Sequence, residues 1–331
     1  MKKVISLILT ASLLCSLTAC SKSSSSSEFP DPEKTITLIV PQSAGGGTDT
    51  QARALVEAMK EVSGKSNIIV ENVTGGSTGT GTNQVIDSEA DGYTLLMYGT
   101  YVACGTMTGY TEGFNKLDYI AGLNVEPFVL AVNKQSNYGS LADLIKAAQE
   151  KKGQLTLGNA GATATTGIVA YGLNNVLDTP FNVVAFNGGA ELIPAVLGGH
   201  CDAGIFSQSE VIANLEGLRP LVFFGKGHSV IKELSDVPNL AEAGYEKLDI
   251  PSGCFRGICV PQGVNDNVKQ YLADIIEKAY KTEKFQKFMT EQGLLDEFSK
   301  LNEFKLFNDK LVESLKPIIK STGLAKGVYA K

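Results

Sequence analysis

Residues 35–59 open with Thr35-Ile36-Thr37-Leu38-Ile39-Val40, continue through Pro41-Gln42-Ser43-Ala44-Gly45-Gly46-Gly47, and go on as Thr48-Asp49-Thr50-Gln51-Ala52-Arg53 toward Leu55, Val56 and Met59. The first six are β-rich and mostly apolar, the pattern of a parallel strand buried on both faces. A proline and three glycines break it. Thr48 or Asp49 is placed to cap a helix whose apolar residues recur at helical spacing. Strand, glycine loop and helix in that order make one α/β unit, and its recurrence decides the fold class.

The unit recurs along the chain. Residues 67–70 read as a second strand, Gly75-Gly76-Ser77-Thr78-Gly79 as a second glycine loop before a helix toward Ile86, and 94–98 as a third strand led in by the turn at Asp91-Gly92. Later, 155–157 lead into Gly158-Asn159-Ala160-Gly161-Ala162-Thr163-Ala164-Thr165-Thr166 and a helix. Residues 183–186 lead into Asn187-Gly188-Gly189-Ala190 and a helix through Val196, and 203–206 into Ser207-Gln208-Ser209. Long extended segments over 119–132 and 250–260 flank the later set. Two extended crossings with α/β units between them predict two lobes on a two-stranded hinge: lobe 1 over 35–124 and 251–331, lobe 2 over 125–250. From about Val264 the chain reads as helical, with Leu301, Phe304 and Phe307 at helical spacing.

The N-terminus addresses the compartment. Lys2 and Lys3 precede an apolar run over 4–14, and Leu17-Thr18-Ala19-Cys20 follows. This reads as a secretory signal over 1–19, too short for a membrane span. Small residues before a cysteine resemble a bacterial lipobox, with cleavage before Cys20 and lipidation of its sulfur; an ordinary signal with an incidental cysteine is the other reading. Residues 20–34 then form a tether, almost all serine over 21–27, with Pro30 and Pro32. The expected location is extracytoplasmic, lipid-anchored to the bacterial cell membrane.

Hydrophobic content of 43% and charged content of 19% suit a globular chain. A net charge of −6 without a basic block argues against nucleic acid. Past the signal, no stretch approaches the ~18 apolar residues of a membrane span. Beyond Cys20 stand Cys104, Cys201, Cys254 and Cys259, and His200 and His228 are the only histidines. No spacing suggests a metal site. Cys254 and Cys259 lie in one extended segment, where five residues span ~16 Å and odd spacing sends side chains to opposite faces. A disulfide needs Cα atoms within roughly 7 Å, so free buried thiols are expected.

A glycine loop between a strand and a helix gathers unpaired N–H groups at a helix start, an anion site that needs no charged side chain. In open α/β sheets ligands sit beyond the carboxyl ends of the strands. The rivals lack their marks. Residues 45–50 miss the third glycine of a dinucleotide fingerprint, no loop ends in Gly-Lys-Ser/Thr, and there is no Gly-x-Ser-x-Gly elbow. His200, within Gly198-Gly199-His200-Cys201-Asp202, reads as a turn residue without a nucleophile partner. No catalytic residue, cofactor or metal is assigned, and the chain reads as a binding module, not an enzyme.

Taken together, the blocks resemble the substrate-binding proteins of the tripartite tricarboxylate transporter family, the Bug receptors. Residues 41–53 match that family's Pro-…-Gly-Gly-x-x-Asp-x-x-Ala-Arg signature. Glu71-Asn72 with Gly75, Gly81 and Asp91-Gly92-Tyr93-Thr94-Leu95 match the next block. Gly158 and Gly161, Phe186-Asn187-Gly188-Gly189-Ala190, Gly198-Gly199 and Asp202 match the second-lobe blocks, and Val237-Pro238 with Glu242-Ala243-Gly244 a further landmark. The resemblance runs over about 35–320. It implies a type II periplasmic-binding-protein fold that closes on an organic acid and delivers it to the membrane permease subunits of a tripartite tricarboxylate-type transporter, as a monomer. A receptor of another importer class, such as an ABC system, and a nucleotide-using enzyme are the alternatives.

The resemblance also implies a carboxylate held by loop backbone, hydroxyls and bridging water. The matching positions are Ala44, Gly45, Gly46, Thr48 and Asp49, with Ser77 and Thr78, in the first lobe, and Ala160, Gly161, Thr163, Thr165 and Asn187 in the second; Gln42, Thr100 and Ser207 complete the set. Departures fall on the solute rather than the fold. Gln42 replaces a usual aromatic residue, Ser77, Thr78 and Thr163 replace glycines, and Phe255 stands where tryptophan is common. Extra hydroxyls point to a polar, hydrogen-bonded solute. Asp49 has two readings, a helix cap or a ligand contact. Arg53, one turn on, reads as its ion-pair partner. Arg256, near a hinge crossing, faces the cleft or is a solvated charge.

Overall fold

The computed structural model describes residues 29–64, 67–177, 181–225, 227–246, 248 and 250–331. The signal segment, Cys20 and most of the serine tether lie outside them. The strands are β1 (Ile36–Val40), β2 (Ile68–Asn72), β3 (Thr94–Gly99), β4 (Leu117–Asn133), β5 (Thr156–Asn159), β6 (Asn182–Ala185), β7 (Ala203–Ser207), β8 (Leu218–Phe223), β9 (Gly253–Pro261) and β10 (Leu295–Lys300). The helices that matter below are α1 (Gly47–Ser63), α2 (Gly79–Ile86), α3 (Thr100–Thr108), α4 (Leu141–Lys151), α5 (Thr165–Leu177), α6 (Gly189–Leu197), α7 (Gln208–Ile212), α8 (Asp266–Tyr280), α9 (Glu283–Glu291) and α10 (Leu301–Ser321).

The strands run in the order β2-β1-β3-β9-β4-β7-β5-β6. β1 lies parallel between β2 and β3, and its Leu38, Ile39 and Val40 are almost wholly buried, as a two-faced parallel strand requires. β5 is likewise parallel to β6 and β7. The two parallel groups meet through the antiparallel pair β4 and β9, matched from Leu117↔Pro261 to Pro127↔Gly253. These are the two extended crossings expected from the sequence. Thr35–Lys331 forms one compact unit.

Register fixes where the strand ends point. β3 ends at Gly99, paired with Arg256 of β9, and Arg256 in turn pairs with Asn124 of β4. β7 ends at Ser207, paired with Phe128 of β4. The carboxyl ends of both parallel groups therefore aim at one short stretch of β4, residues 124–128, from opposite sides. That is the crevice where an open α/β sheet places a ligand.

Successive side chains of β9 alternate between faces. Phe255 turns away from the crevice onto α10, with ring centroids 5.3 Å from Phe304 and 4.4 Å from Phe307. Cys254 and Arg256 turn toward it. On α10, Phe304, Asn308, Val312, Leu315 and Ile319 make the buried stripe, and Asn308 donates to the Tyr119 hydroxyl at 2.9 Å.

Three sequence expectations are corrected. The C-terminal third is not all helix, because β10 pairs antiparallel with β4 between α9 and α10. β8 is an additional strand and also pairs with β4. The helix after β1 starts on Gly46 as N-cap, with no side-chain cap, so Thr48 and Asp49 sit inside the first turn rather than capping it. Cys254 and Cys259 are free and buried, as expected, and so are Cys104 and Cys201.

Candidate functional site

The loop after β1 is braced from its own side. Gly45 adopts φ +83°, a conformation open to glycine. The Asp49 carboxylate accepts from Gly45 N at 2.8 Å, from Arg53 Nε at 2.9 Å and from Asn72 Nδ2 at 2.9 Å. Asn72 also donates to the Gln42 carbonyl at 3.0 Å, and the Thr48 hydroxyl donates to the Gln42 side chain. Burial raises the Asp49 pKa, but the hydrogen bonds from Arg53, Gly45 and Asn72 outweigh it and hold the carboxyl below the ordinary aspartate value. Asp49 is thus a brace for the loop, and Arg53 is its ion-pair partner as the spacing suggested.

The loop after β2 is built differently. Ser77 and Thr78 keep left-handed backbone angles, φ 54° and φ 78°, although neither is glycine. Such conformations cost of order 1–3 kcal/mol each. The Ser77 hydroxyl accepts from Thr163 N at 2.8 Å, a bond from the second parallel group to the first. Gly161, at φ +141°, lies so near that an added Cβ would stand 3.1 Å from the same hydroxyl. Its own loop is closed by Gly161 N to Asn159 Oδ1 and Ala160 N to Thr166 Oγ1, both 3.0 Å.

Other bonds cross the crevice. Ser43 N donates to the Asn187 carbonyl at 3.2 Å, and Gly47 N to Glu210 Oε1 at 3.0 Å. Beneath them Arg256 is almost fully buried and paired with Glu126. It also donates to Gln51 Oε1 at 3.0 Å and Ser207 Oγ at 3.2 Å. Arg256 lines the cavity, so of its two readings the cleft-facing one holds and the solvated charge does not. Its terminal nitrogens are engaged by Glu126, Gln51 and Ser207, and its buried Nε has no partner. Glu126 Oε1 accepts from Ser209 N at 3.0 Å.

The cavity enclosed here is about 30 Å³, room for roughly one water molecule. Of the expected residues, Gln42, Gly46, Thr48, Ala160, Thr165 and Ser207 line it. Ser77, Thr78, Gly161 and Thr163 do not line it; Ser77 and Thr163 meet each other instead. Ala44 and Gly45 are exposed. The Thr100 hydroxyl accepts from Phe255 N at 2.9 Å, under the cavity. Asn187 is exposed and tied to Glu191. Ser43, Gly47, Tyr101, Phe128, Thr166, Gly189, Glu210 and Cys254 also line the cavity, beyond the set expected from the sequence. Glu210 does leave a sequence signal: Ser207-x-x-Glu210 is a capping-box spacing, and both of its bonds form at the start of α7.

A larger cavity, about 440 Å³, lies at the far ends of β4 and β9, near Phe114, Asp118, Lys269 and Lys305. Its charges satisfy one another, Lys269 with Asp118 and Asp266, and Lys305 with Asp309. It also sits away from the converging strand ends, so the small cavity is the functional candidate. Among the described residues no cluster of His, Cys, Asp and Glu is placed to hold a metal, and no helix is long and apolar enough to cross a membrane.

Residues 51–324 match the family model of the tripartite tricarboxylate transporter family receptor. The chain belongs to that receptor family. Protein BugT of Bordetella pertussis is 24% identical to this receptor over 303 residues, 88% of this chain and 90% of that one. The periplasmic binding protein BugD superposes with a TM-score of 0.83 at 21% identity, covering 90% of the receptor and all of BugD. MatC of Rhodopseudomonas palustris, solved with bound malate, gives 0.79 at 21% identity over 88% of the receptor and 100% of its own chain. The receptor has the two-lobed periplasmic-binding fold expected from the sequence, and its converging glycine loops stand at the crevice of that fold.

Proposed function

We propose that this chain is an extracytoplasmic receptor that captures a small carboxylate between lobe 1 (35–124 with 251–331) and lobe 2 (125–250). It passes the solute to the permease of a tripartite tricarboxylate-type transporter and performs no chemistry on it. The observation that carries this reading is the convergence of the strand ends from both parallel groups on residues 124–128 of β4. The ligands are the hydroxyls and N–H groups of Gln42, Thr48, Ser77, Thr163, Thr165 and Ser207, with no Lys or Arg in either glycine loop. A malate-bound relative of the same fold supports the solute class.

A cavity of about 30 Å³ does not accommodate a dicarboxylate. Binding therefore requires the crevice to open about the β4–β9 pair and the bonds Thr163 to Ser77 and Ser43 to Asn187 to part. Lipidation at Cys20 tethers the receptor to the membrane, and a Cys20→Ala protein is expected in the soluble fraction or unprocessed. A thermal-shift screen of organic acids tests the function. A ligand at ~100 times its dissociation constant adds ~2.7 kcal/mol to native stability, and a screen of di- and tricarboxylates without one stabilising member counts against the reading.

A further inference from the structure

Three carboxylates are buried around the crevice, and two of them have a guanidinium. Asp49 pairs with Arg53 and Glu126 with Arg256. Glu210 has none: among the described residues no Lys or Arg nitrogen lies within ion-pair distance of it, and the nearest cation, Arg256, is committed to Glu126. Its oxygens accept one N–H each, from Gly47 at 3.0 Å and Ser207 at 2.9 Å. A carboxylate offers about four acceptor positions, so half remain, on a group that lines the cavity.

The chain keeps room for this group. A Cβ on Gly189 would stand 1.9 Å from Glu210 Oε1, and one on Gly46 would stand 3.4 Å from it. Two helix starts thus approach the carboxylate without side chains. Burial, with Glu126 as a like-charged neighbour, pushes the Glu210 pKa up against the hydrogen bonds that lower it. A solute carboxylate set beside an ionised Glu210 would be repelled, since like charges in juxtaposition cost several kcal/mol.

We propose that Glu210 is the specificity-determining residue of the cleft and selects solutes that carry a protonated amine beside their carboxylate. The amine supplies the cation Glu210 lacks, and the hydroxyls of Thr48, Thr165 and Ser207 and the loop N–H groups take the carboxylate. This rests on the carboxylate reading above. It places net negative charge, Glu126 and Glu210 against Arg256, on the side that receives the amine.

Calorimetry with matched pairs tests it: succinate against aspartate and glutarate against glutamate, with putrescine as a diamine control, on the native protein and on Glu210→Gln. The Gln variant keeps one acceptor oxygen, for Gly47 N–H or for Ser207 N–H but not both, so its fold is checked by circular dichroism and its affinity for the plain acids is compared with that of the native protein. The amino member of a pair is expected to bind at least about tenfold more tightly, ~1.4 kcal/mol, with that preference lost in Glu210→Gln. If succinate or glutarate binds as tightly as its amino partner, the inference is overturned while the carboxylate reading stands. As pH falls and a proton neutralises Glu210, the repulsion of succinate and glutarate is relieved and the amino preference is expected to narrow; a preference that widens as pH falls would overturn the inference. If the preference survives in Glu210→Gln, another residue sets it and the inference is overturned. Binding of putrescine without either acid class would retain the amine site and overturn the carboxylate reading. Silence from every probe would overturn both.

Discussion

The loop after β1 carries its own scaffold, and the loop after β2 borrows one from across the crevice. In the first, Asp49, Arg53, Asn72 and Gln42 satisfy one another within the same side of the sheet. In the second, Ser77 and Thr78 hold strained angles, and the Ser77 hydroxyl is engaged by Thr163 N–H from the other parallel group. In the opening proposed above, the first loop gives up its backbone bonds to Asn187 and Glu210 but keeps its side-chain scaffold, whereas the second loses the partner of Ser77. On that proposal the first serves as a floor and the second as a latch.

Substitutions can separate these roles, and the largest effect should come from the framework both loops stand on. Removing one partner of a buried ion pair costs about 3–5 kcal/mol. Glu126→Ala, which strands Arg256, is expected to lower stability by that amount in chemical denaturation and to speed amide exchange in both loops. A change confined to one loop would show that the pair does not support them jointly.

Asp49→Asn should act on the floor alone. It removes or weakens bonds from Gly45, Arg53 and Asn72, an expected loss of about 1–3 kcal/mol; Arg53 is half exposed, so the ionic part is small. Amide exchange should rise over 41–49 and not over 75–79. The pH dependence has a fixed sign. The folded-state pKa of Asp49 is depressed, so its contribution is full above the unfolded value of ~3.9 and is lost as pH falls through the folded value. Acid unfolding of Asp49→Asn should lack that component.

Ser77→Ala should have the smallest effect on stability, about 0.5–1.5 kcal/mol for one hydrogen bond. Its expected signature is elsewhere, as a larger radius of gyration without solute and faster exchange at 75–79 and 161–163. Unchanged scattering and exchange would remove Ser77 from the latch.

The same contrast explains what can be read from the sequence. Local devices are legible: the strand–loop–helix units, the Asp49–Arg53 spacing and the two long crossings are all set by neighbours along the chain. β8 is hidden by Pro220, which removes a ladder donor and is tolerated where the β4 register shifts between Leu130 and Ala131. β10, Leu-Asp-Glu-Phe-Ser-Lys, is too polar and exposed to show a strand pattern. The role of Arg256 is not legible because its partner Glu126 lies far away in sequence and is brought close only by the β4–β9 register. Ser77 stands out as a departure from glycine, but its bond to Thr163 spans both parallel groups and has no one-dimensional trace.

The central claim is that a carboxylate binds between the two sets of loops, against backbone left open to it because residue 161 is glycine. Calorimetric titration of the best carboxylate from the thermal screen into Gly161→Leu, with the fold checked by circular dichroism, tests this most directly. Gly161 lies at φ +141°, with Ala164 Cβ and Ser77 Oγ already 3.0 and 3.1 Å from any added Cβ. The account predicts a folded protein with no measurable heat of binding. Native-like affinity in Gly161→Leu would contradict it and move the site elsewhere.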